Sequence, residues 1–465
     1  MINKGDCMRK KTFEMLERMI VEIMQEVNIP GMSIGIIINE EIVYTRGFGA
    51  RNLELNLPMT PNTLFGIGSI SKMFTALAIN QLAEKGKLNL QDPINKYINF
   101  NLGTRKDPIQ IHHFLTHSSG INALEGNFIA AERLLGVSDS FIPMSSTEDL
   151  LTFLNGAHFE KSGDPGKVYI YNNDMYDCLG LIVEKATGLR FIDYVKKEIL
   201  IPLKMKRSTY TIEDFKRDED ISTGYLFEEN GKIVPKDPPI ADLQAPAGGL
   251  LSSVNDLLNY MIALLNGGNF NGNKLLDPST LKRIWTPYIQ TDEKGKEYGY
   301  GWMIEKDFFG HRLVSHGGNL FISSGYLGMI PELKMGIVIG QNCAHFSPEM
   351  IGRSILAILL GIDLKQAVPL LEIQKKLTTL IGHYETYKGV MKLDVSLENG
   401  ILTGKIKYPG SPNIITFPVV IDNMEEMNFF IPFAVPELQM KGQIFINEDT
   451  GAVNLKVNRW VFHKR

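Results

Sequence analysis

The chain has 465 residues, is 44% hydrophobic and carries a formal net charge of −4. That length supports more than one buried core and implies about three domain-sized units. A sequence pI near 6.2 lacks the basic footprint of a nucleic-acid binder, and the longest apolar run, Ile355 to Ile362, is too short to cross a bilayer. Neither nucleic acid nor membrane is therefore expected as a partner. Cys7, Cys178 and Cys343 lie far apart, which argues against a disulfide framework and for a reducing compartment. A cytoplasmic location is expected.

Near the N-terminus, Lys4, Arg9, Lys10 and Lys11 are followed by no long apolar stretch, so no leader is expected. Phe13, Leu16, Met19, Ile20, Ile23 and Met24 instead recur as one stripe of an amphipathic helix. Met32 to Ile38 and Ile42 to Tyr44 read as a hairpin of buried strands joined at Asn39-Glu40-Glu41. An irregular stretch from Thr60 to Gly68 gives way to Met73, Phe74, Ala76, Leu77, Ile79 and Leu82, which is close to helical spacing. Gln110 to Arg207 reads as mostly helical, with Asn127 to Ser146 as a loop shaping the pocket. Pro235, Pro238, Pro239 and Pro246 predict loops from Asp214 to Pro246, including a solvated charge cluster, Lys216 to Asp220. Asp256 reads as a charge at a helix start. Strands return between Gly301 and Asn342, and a helix follows from Met350 to Leu360.

Beyond Leu370 the character changes. Leu371 to Leu380 reads as a connecting helix. Met391 to Leu397 alternates with period two, Asn399-Gly400 reads as a turn, and Leu402 to Tyr408 and Val453 to Val457 continue the pattern. A small antiparallel barrel or sandwich is expected there. The expected domains are residues 1–370 and 371–465.

Chemistry concentrates at Ser69-Ile70-Ser71-Lys72. Ser69 would open a helix, with Lys72 one turn on and on the same face. A serine hydroxyl is a poor nucleophile until a base takes its proton, and a desolvated amine three residues away is such a base. Two partner segments stand out. Tyr171-Asn172-Asn173 leads into a helical run, and His316-Gly317-Gly318 reads as a strand with a glycine-lined edge where a substrate backbone can approach. Asn173 has two readings, a substrate amide contact or a helix N-cap. Tyr169 competes with Tyr171 but has no asparagine two residues on. His113 and His117 are four apart, yet no carboxylate accompanies them, so no metal is expected. No cofactor is expected either.

A serine-lysine tetrad, then Tyr-x-Asn, then a basic residue followed by x-Gly, resembles the serine β-lactamase and penicillin-binding-protein superfamily. Tyr171-Asn172-Asn173 resembles its class C, D-aminopeptidase and esterase branch. Ile111 to Gly120, Pro246-Ala247-Gly248-Gly249-Leu250 and Tyr298 to Trp302 resemble further landmarks of that branch, so the likeness runs from about Val27 to Leu360. Gly382-His383-Tyr384 is similar to the start of lipocalin-like C-terminal domains in archaeal and bacterial serine peptidases. The resemblance implies an α+β fold: an antiparallel sheet flanked by helices, an inserted helical subdomain, and a lipocalin-like barrel.

The resemblance also implies roles. Ser69 attacks a carbonyl, Lys72 takes its proton and Tyr171 carries a second proton. Asn173 holds a substrate amide, and the backbone N–H groups of Ser69 and Asn319, beside Gly317 and Gly318, form the oxyanion hole. His316 stands where β-lactamases carry lysine, which favours peptide, amide or ester substrates over β-lactam carboxylates. A peptidase or amidase on small peptides, D-residues included, is the leading expectation. A carboxylesterase or weak β-lactamase is the alternative, and a non-catalytic binding module the third. The barrel is expected to close over the crevice, bind a partner or mediate homo-oligomer formation. Cell-wall relatives are exported, so a cytoplasmic chain weakens a wall-synthesis role.

Overall fold

Five isoleucine and methionine side chains make Gly31–Ile38 (β1) apolar on both faces, and the strand is buried along nearly its whole length. Asn39 and Glu40 both take left-handed φ values, 53° and 66°, as a tight hairpin turn requires. The chain returns as Glu41–Asn52 (β2) and ends the sheet with Leu57–Pro58 (β3). β2 runs eight residues past Tyr44. Its outer half, Thr45-Arg46-Gly47-Phe48-Gly49-Ala50-Arg51-Asn52, has one large apolar residue and so carries little apolar signal.

The other six strands come from the far side of the helical insertion. They are Ile289–Gln290 (β4), Lys296–Tyr298 (β5), Met303–Phe308 (β6), His311–Asn319 (β7), Ser324–Ile330 (β8) and Met335–Gln341 (β9). The sheet order is β4-β5-β6-β7-β8-β9-β1-β2-β3, antiparallel throughout. Both ends of the region thus build one sheet. Lys4–Glu26 (α1) buries Leu16, Met19, Ile20, Ile23 and Met24, and Phe13 stacks on Tyr44 of β2 at 4.9 Å.

The insertion is centred on Ser71–Glu84 (α2), buried from Ser71 to Leu82. Against it packs Asn173–Thr187 (α3). Val254–Leu265 (α4) and Pro348–Leu359 (α5) pack on the sheet. Three expectations need correction. Asn127 to Ser146 is not simply a loop, because Gly126–Leu135 is a helix closed by Gly136 in the left-handed region. Asp214 to Pro246 contains a hairpin, Gly224–Phe227 with Ile233–Lys236, which tolerates Pro235 because it is only two-stranded.

The third correction concerns the charge cluster. Asp218 pairs with Arg207, while Asp220 pairs with Arg51 at 2.8 Å and accepts hydroxyls from Thr60 at 2.5 Å and Thr63 at 2.6 Å. These carboxylates tie the end of β2 to the segment that leads into α2. Asp256 similarly accepts Arg207 N, Ser208 N and Ser208 Oγ from its place in the first turn of α4.

This computed structural model describes residues 4–102, 107–137, 140–228, 231–367, 377–398, 401–407, 414–423, 428–432, 439–446, 453–457 and 459–465. The chain forms two compact units, Met1–Leu360 and Gly361–Arg465. The second holds nine antiparallel strands: Gly382–Glu385 (β10), Lys392–Glu398 (β11), Ile401–Lys407 (β12), Ile414–Pro418 (β13), Val420–Asn423 (β14), Asn428–Pro432 (β15), Gln439–Ile446 (β16), Val453–Val457 (β17) and Trp460–Lys464 (β18). Their order is β13-β12-β11-β10-β18-β17-β16-β15-β14, and β13 also packs on β15, so the sheet nearly closes into a barrel. Leu393, Leu402, Phe429, Ile444 and Leu455 fill its interior, leaving about 20 Å³. Residues 377–380 are helical, while the rest of the expected connecting helix and the Asn399-Gly400 turn lie outside the described residues.

The Asp220 hub generates a stability prediction. Hydrogen bonds to a charged acceptor contribute about 1.5–3 kcal/mol each, with partial compensation by water. Asp220→Ala should destabilise the first unit by about 2–4 kcal/mol, read from its urea midpoint. A loss below about 0.5 kcal/mol would show that the network is dispensable.

Candidate active site

Ser69 lies in a single 3₁₀ turn, Gly68–Ile70, that runs directly into α2. The turn exists because Gly68 takes φ 53° and has no side chain: a Cβ there would sit 2.5 Å from Asn319 N. The converse holds at Gly318, whose Cβ would sit 1.8 Å from Ile67 O and 3.1 Å from Ser69 N. Two glycines thus press the start of the helix against the edge of β7. The backbone nitrogens of Ser69 and Asn319 are brought to the same corner, and Gly317 continues that edge without a side chain.

Lys72 is fully buried and its Nζ has three polar neighbours. Ser69 Oγ lies at 3.1 Å, Asn173 Oδ1 at 2.6 Å and Ala247 O at 2.8 Å. The last two only accept. A neutral amine spends its two hydrogens on them and aims its lone pair at the Ser69 hydroxyl. Burial lowers the Lys72 pKa to about 7, against the opposing pull of Asp177, Glu125 and Asp174. Burial pushes the Asp177 carboxyl well up in turn. Its Oδ1 accepts Ala247 N at 3.0 Å, so the Ala247 peptide is clamped between Asp177 and Lys72. Thr75 Oγ1 on Pro246 O and Leu250 N on Ser71 Oγ pin the same Pro246–Leu250 segment along α2.

The Tyr171 ring centroid lies 5.0 Å from Lys72 Nζ, and Ser69 is near enough to pull its phenol pKa down against burial. Burial holds its phenol well above the ordinary range, so it stays protonated. Tyr169 instead faces His117 and Tyr298, at 6.0 and 5.8 Å between rings. The N-cap reading of Asn173 is corrected: Asn172 caps α3, accepting Met175 N at 3.3 Å. That frees Asn173 to bridge Lys72 through Oδ1 and Glu125 through Nδ2, at 2.9 Å. One orientation of the amide satisfies both an amine and a carboxylate.

His316 is buried beside the site. Nε2 lies 2.9 Å from Tyr298 Oη and Nδ1 lies 2.5 Å from Gly317 O. A carbonyl only accepts, so the proton sits on Nδ1 and Tyr298 donates to Nε2. Burial and the nearby Lys72 lower its pKa to about 4. The ring is neutral and both nitrogens are occupied within the protein.

Four contributors escaped sequence reasoning. His117 was set aside with the other histidines, but it is buried, its ring lies 4.2 Å from that of Tyr171, and Nδ1 accepts Asn172 N at 3.0 Å. Its carbonyl accepts Ile170 N, so it holds both neighbours of Tyr171. Glu125, Asp177 and Tyr298 are the others, and only Tyr298, as the first residue of the Tyr-Gly-Tyr-Gly-Trp landmark, offered a signal. Among the described residues no group of three His, Cys, Asp or Glu side chains is placed to hold a metal ion. His113 Nδ1 accepts Gln110 N at a helix start instead.

Comparison with known proteins identifies the family and the fold. The family model described as Beta-lactamase matches residues 16–361, and one described as Pab87 octamerisation domain matches residues 364–463. A solved structure, the octameric penicillin-binding protein homologue from Pyrococcus abyssi, is 34% identical with a TM-score of 0.88, covering 97% of this chain and 100% of that one. A penicillin binding protein structure from Bacillus halodurans shares the fold, at 24% identity and a TM-score of 0.59 over 73% of this chain and 98% of that one. Protein flp of Staphylococcus aureus is 26% identical over 73% of this chain, which spans 65% of that protein's length. Penicillin-binding protein 4* of Bacillus subtilis is 26% identical over 60% of each. The chain belongs to the beta-lactamase family, the serine hydrolases that include penicillin-binding proteins.

Proposed function

We propose that the chain hydrolyses short peptides or amides through an acyl-enzyme on Ser69. One observation carries the reading: Lys72 is dry, near-neutral at pH 7, and has its two acceptor-only neighbours placed so that its lone pair faces Ser69 Oγ. An unperturbed lysine would be a free base in roughly one molecule in 2,500 at pH 7. Lys72, at about 7, is one in about half of them. Tyr171 stays a phenol and passes its proton to the leaving group, then relays one from water in deacylation. The N–H groups of Ser69 and Asn319 receive the oxyanion, beside the side-chain-free edge of Gly317 and Gly318. Asn173 keeps its second amide hydrogen for a substrate carbonyl.

His316 replaces a fixed cation with a neutral ring, which favours amides, peptides and esters over β-lactam carboxylates. Its two internal hydrogen bonds make it a support for the β7 edge and Tyr298. The esterase reading uses the same groups with a leaving group that needs less protonation. Free, buried Cys178 and Cys343 support the expected cytoplasmic placement, and among the described residues no helix is long and apolar enough to cross a membrane.

The second unit is a scaffold in this reading. Among the described residues its apolar interior encloses about 20 Å³, and its match to an octamerisation domain supports self-association into octamers.

Three outcomes are expected. A fluorophosphonate should label the protein once per chain, label Ser69→Ala not at all, and react faster as pH rises through about 7, because the ammonium form of Lys72 cannot take the proton. A rate flat from pH 5 to 9 would remove Lys72 as the base. Tyr171→Phe should cut peptide or anilide turnover by about 10²–10⁴-fold but activated-ester turnover much less, and equal losses would remove Tyr171 as proton donor. Sedimentation should give eight times the 52.2 kDa chain mass, and a monomer would refute the assembly.

A further inference from the structure

An open cleft of about 860 Å³ is bounded by Ala83 at the end of α2, the segment Gly86 to Asp92, His112, Arg283, Tyr288 and Tyr300. That volume is in the range of small-molecule sites. None of the lining residues belongs to the group around Ser69.

Arg283 makes this cleft a candidate for a ligand. It stands in the last turn of the helix Pro278–Ile284, where Nη2 donates to Asn80 Oδ1 at 3.2 Å and to Thr280 Oγ1 at 3.5 Å. Asn80 is fully buried in α2, and its own Nδ2 is held by Ala76 O at 2.8 Å, so its oxygen is fixed toward the guanidinium. Both acceptors are neutral. Nε is buried without a partner, and among the described residues Arg283 pairs with no carboxylate. A half-buried cation is thus held in place by uncharged oxygens, with Nη1 left for the cleft. A guanidinium anchored this way is suited to a carboxylate or a phosphate.

The other charges of the lining supply no counter-anion. Asp92 is its one carboxylate, and Oδ2 accepts Lys96 Nζ at 2.9 Å, Tyr97 Oη at 2.5 Å and Asn89 N at 3.0 Å. Glu84, beside the lining residue Ala83, accepts Asp277 N at 2.8 Å. Lys87 is exposed and among the described residues forms no ion pair. Burial lowers the His112 pKa, so that ring adds no charge. Arg283 and Lys87 therefore leave the cleft positive in a chain whose net charge is −4.

An aromatic wall adjoins the cation. Tyr288 and Tyr300 stack at 4.6 Å and 16°, and His112 meets Tyr288 edge-on at 4.9 Å. His112 Nδ1 lies 2.8 Å from Tyr300 Oη, which fixes the inner ring. Tyr288 Oη donates to Arg283 O at 3.2 Å, and the Arg283 charge acts on the Tyr300 phenol. Tyr288 keeps 36% of its surface exposed, so the stack still offers ring surface beside the guanidinium.

We propose that this cleft is a second binding site, for a small organic anion: a phosphate or carboxylate carried on an aromatic body. The anion sits on Arg283 and Lys87, and the ring lies against Tyr288. The site is independent of the acyl-enzyme at Ser69, and its occupant is not the substrate of that reaction.

The test is isothermal titration calorimetry of the full-length protein with phenyl phosphate, benzoate, inorganic phosphate and neutral benzyl alcohol. Phenyl phosphate and benzoate should each bind once per chain, at least about tenfold more tightly than benzyl alcohol, and phenyl phosphate more tightly than inorganic phosphate. Arg283→Gln should weaken both aromatic anions by about 10- to 100-fold, the scale of one lost charge-assisted contact. Lys87→Gln should weaken them by about 2- to 5-fold, as an exposed cation does. Lys282→Gln, an exposed neighbour outside the lining, should leave affinity unchanged. Protein treated with a fluorophosphonate should bind as before. Circular dichroism checks the fold of Arg283→Gln, and if that variant unfolds the contrast between Lys87→Gln and Lys282→Gln decides. No saturable binding up to about 10 mM, or equal effects of the lining and control variants, would overturn the site. So would inorganic phosphate binding as tightly as phenyl phosphate, or loss of binding after fluorophosphonate treatment, which would place the anion at Ser69.

Discussion

Burying an amine without a counter-charge is costly, and the architecture around Lys72 follows from the way it meets that cost. Lys72 is fully buried, and the turn that leads into α2, α3 and the Pro246–Leu250 segment each supply something to Nζ: a hydroxyl, an amide oxygen and a peptide carbonyl. An ionised neighbour in contact would restore the charge and destroy the base. Burial pushes the Asp177 carboxyl well up, and Asp174, pushed up to about 6, spends its oxygens on backbone N–H groups. The lysine is therefore surrounded by acids that leave it near neutrality at working pH.

The same carboxylates are structural devices. Asp177 orients the Ala247 peptide whose oxygen holds Lys72, and Asp174 fixes the helix start that presents Glu125. His117 binds the chain on both sides of Tyr171. Side chains of the candidate site are thus set by buried partners from segments distant in sequence, and the corner that holds Ser69 N and Asn319 N depends on the close approach of Gly68 and Gly318 to each other's backbone neighbours. Hydrogen bonds at that density leave few degrees of freedom, which is what placement of a nucleophile within a fraction of an ångström demands.

The two units solve different problems. The first has a nine-stranded sheet with helices on it and an inserted subdomain whose junction carries the chemistry. The second has a small apolar interior whose described residues enclose about 20 Å³.

The amino-acid sequence alone determined the elements whose signal is local. The helix after Ser69 follows from apolar spacing, the β1–β2 hairpin from its isoleucines and turn, and the barrel strands β11 and β12 from period-two alternation. Ser69, Lys72 and Tyr171 were legible because their spacing and order form a pattern across the chain, and the structure brings them together. The tertiary structure decided what depends on contacts between distant residues. It made Asn172 the cap and turned Asn173 into the site, occupied both nitrogens of His316, and recruited His117 from an apparently ordinary histidine. It also turned a charge cluster into an anchor at Asp220, and gave Glu125 its place. A side chain's identity says which bonds it can make, but burial and direction, set by segments 48 to 160 residues away, select the ones it does make.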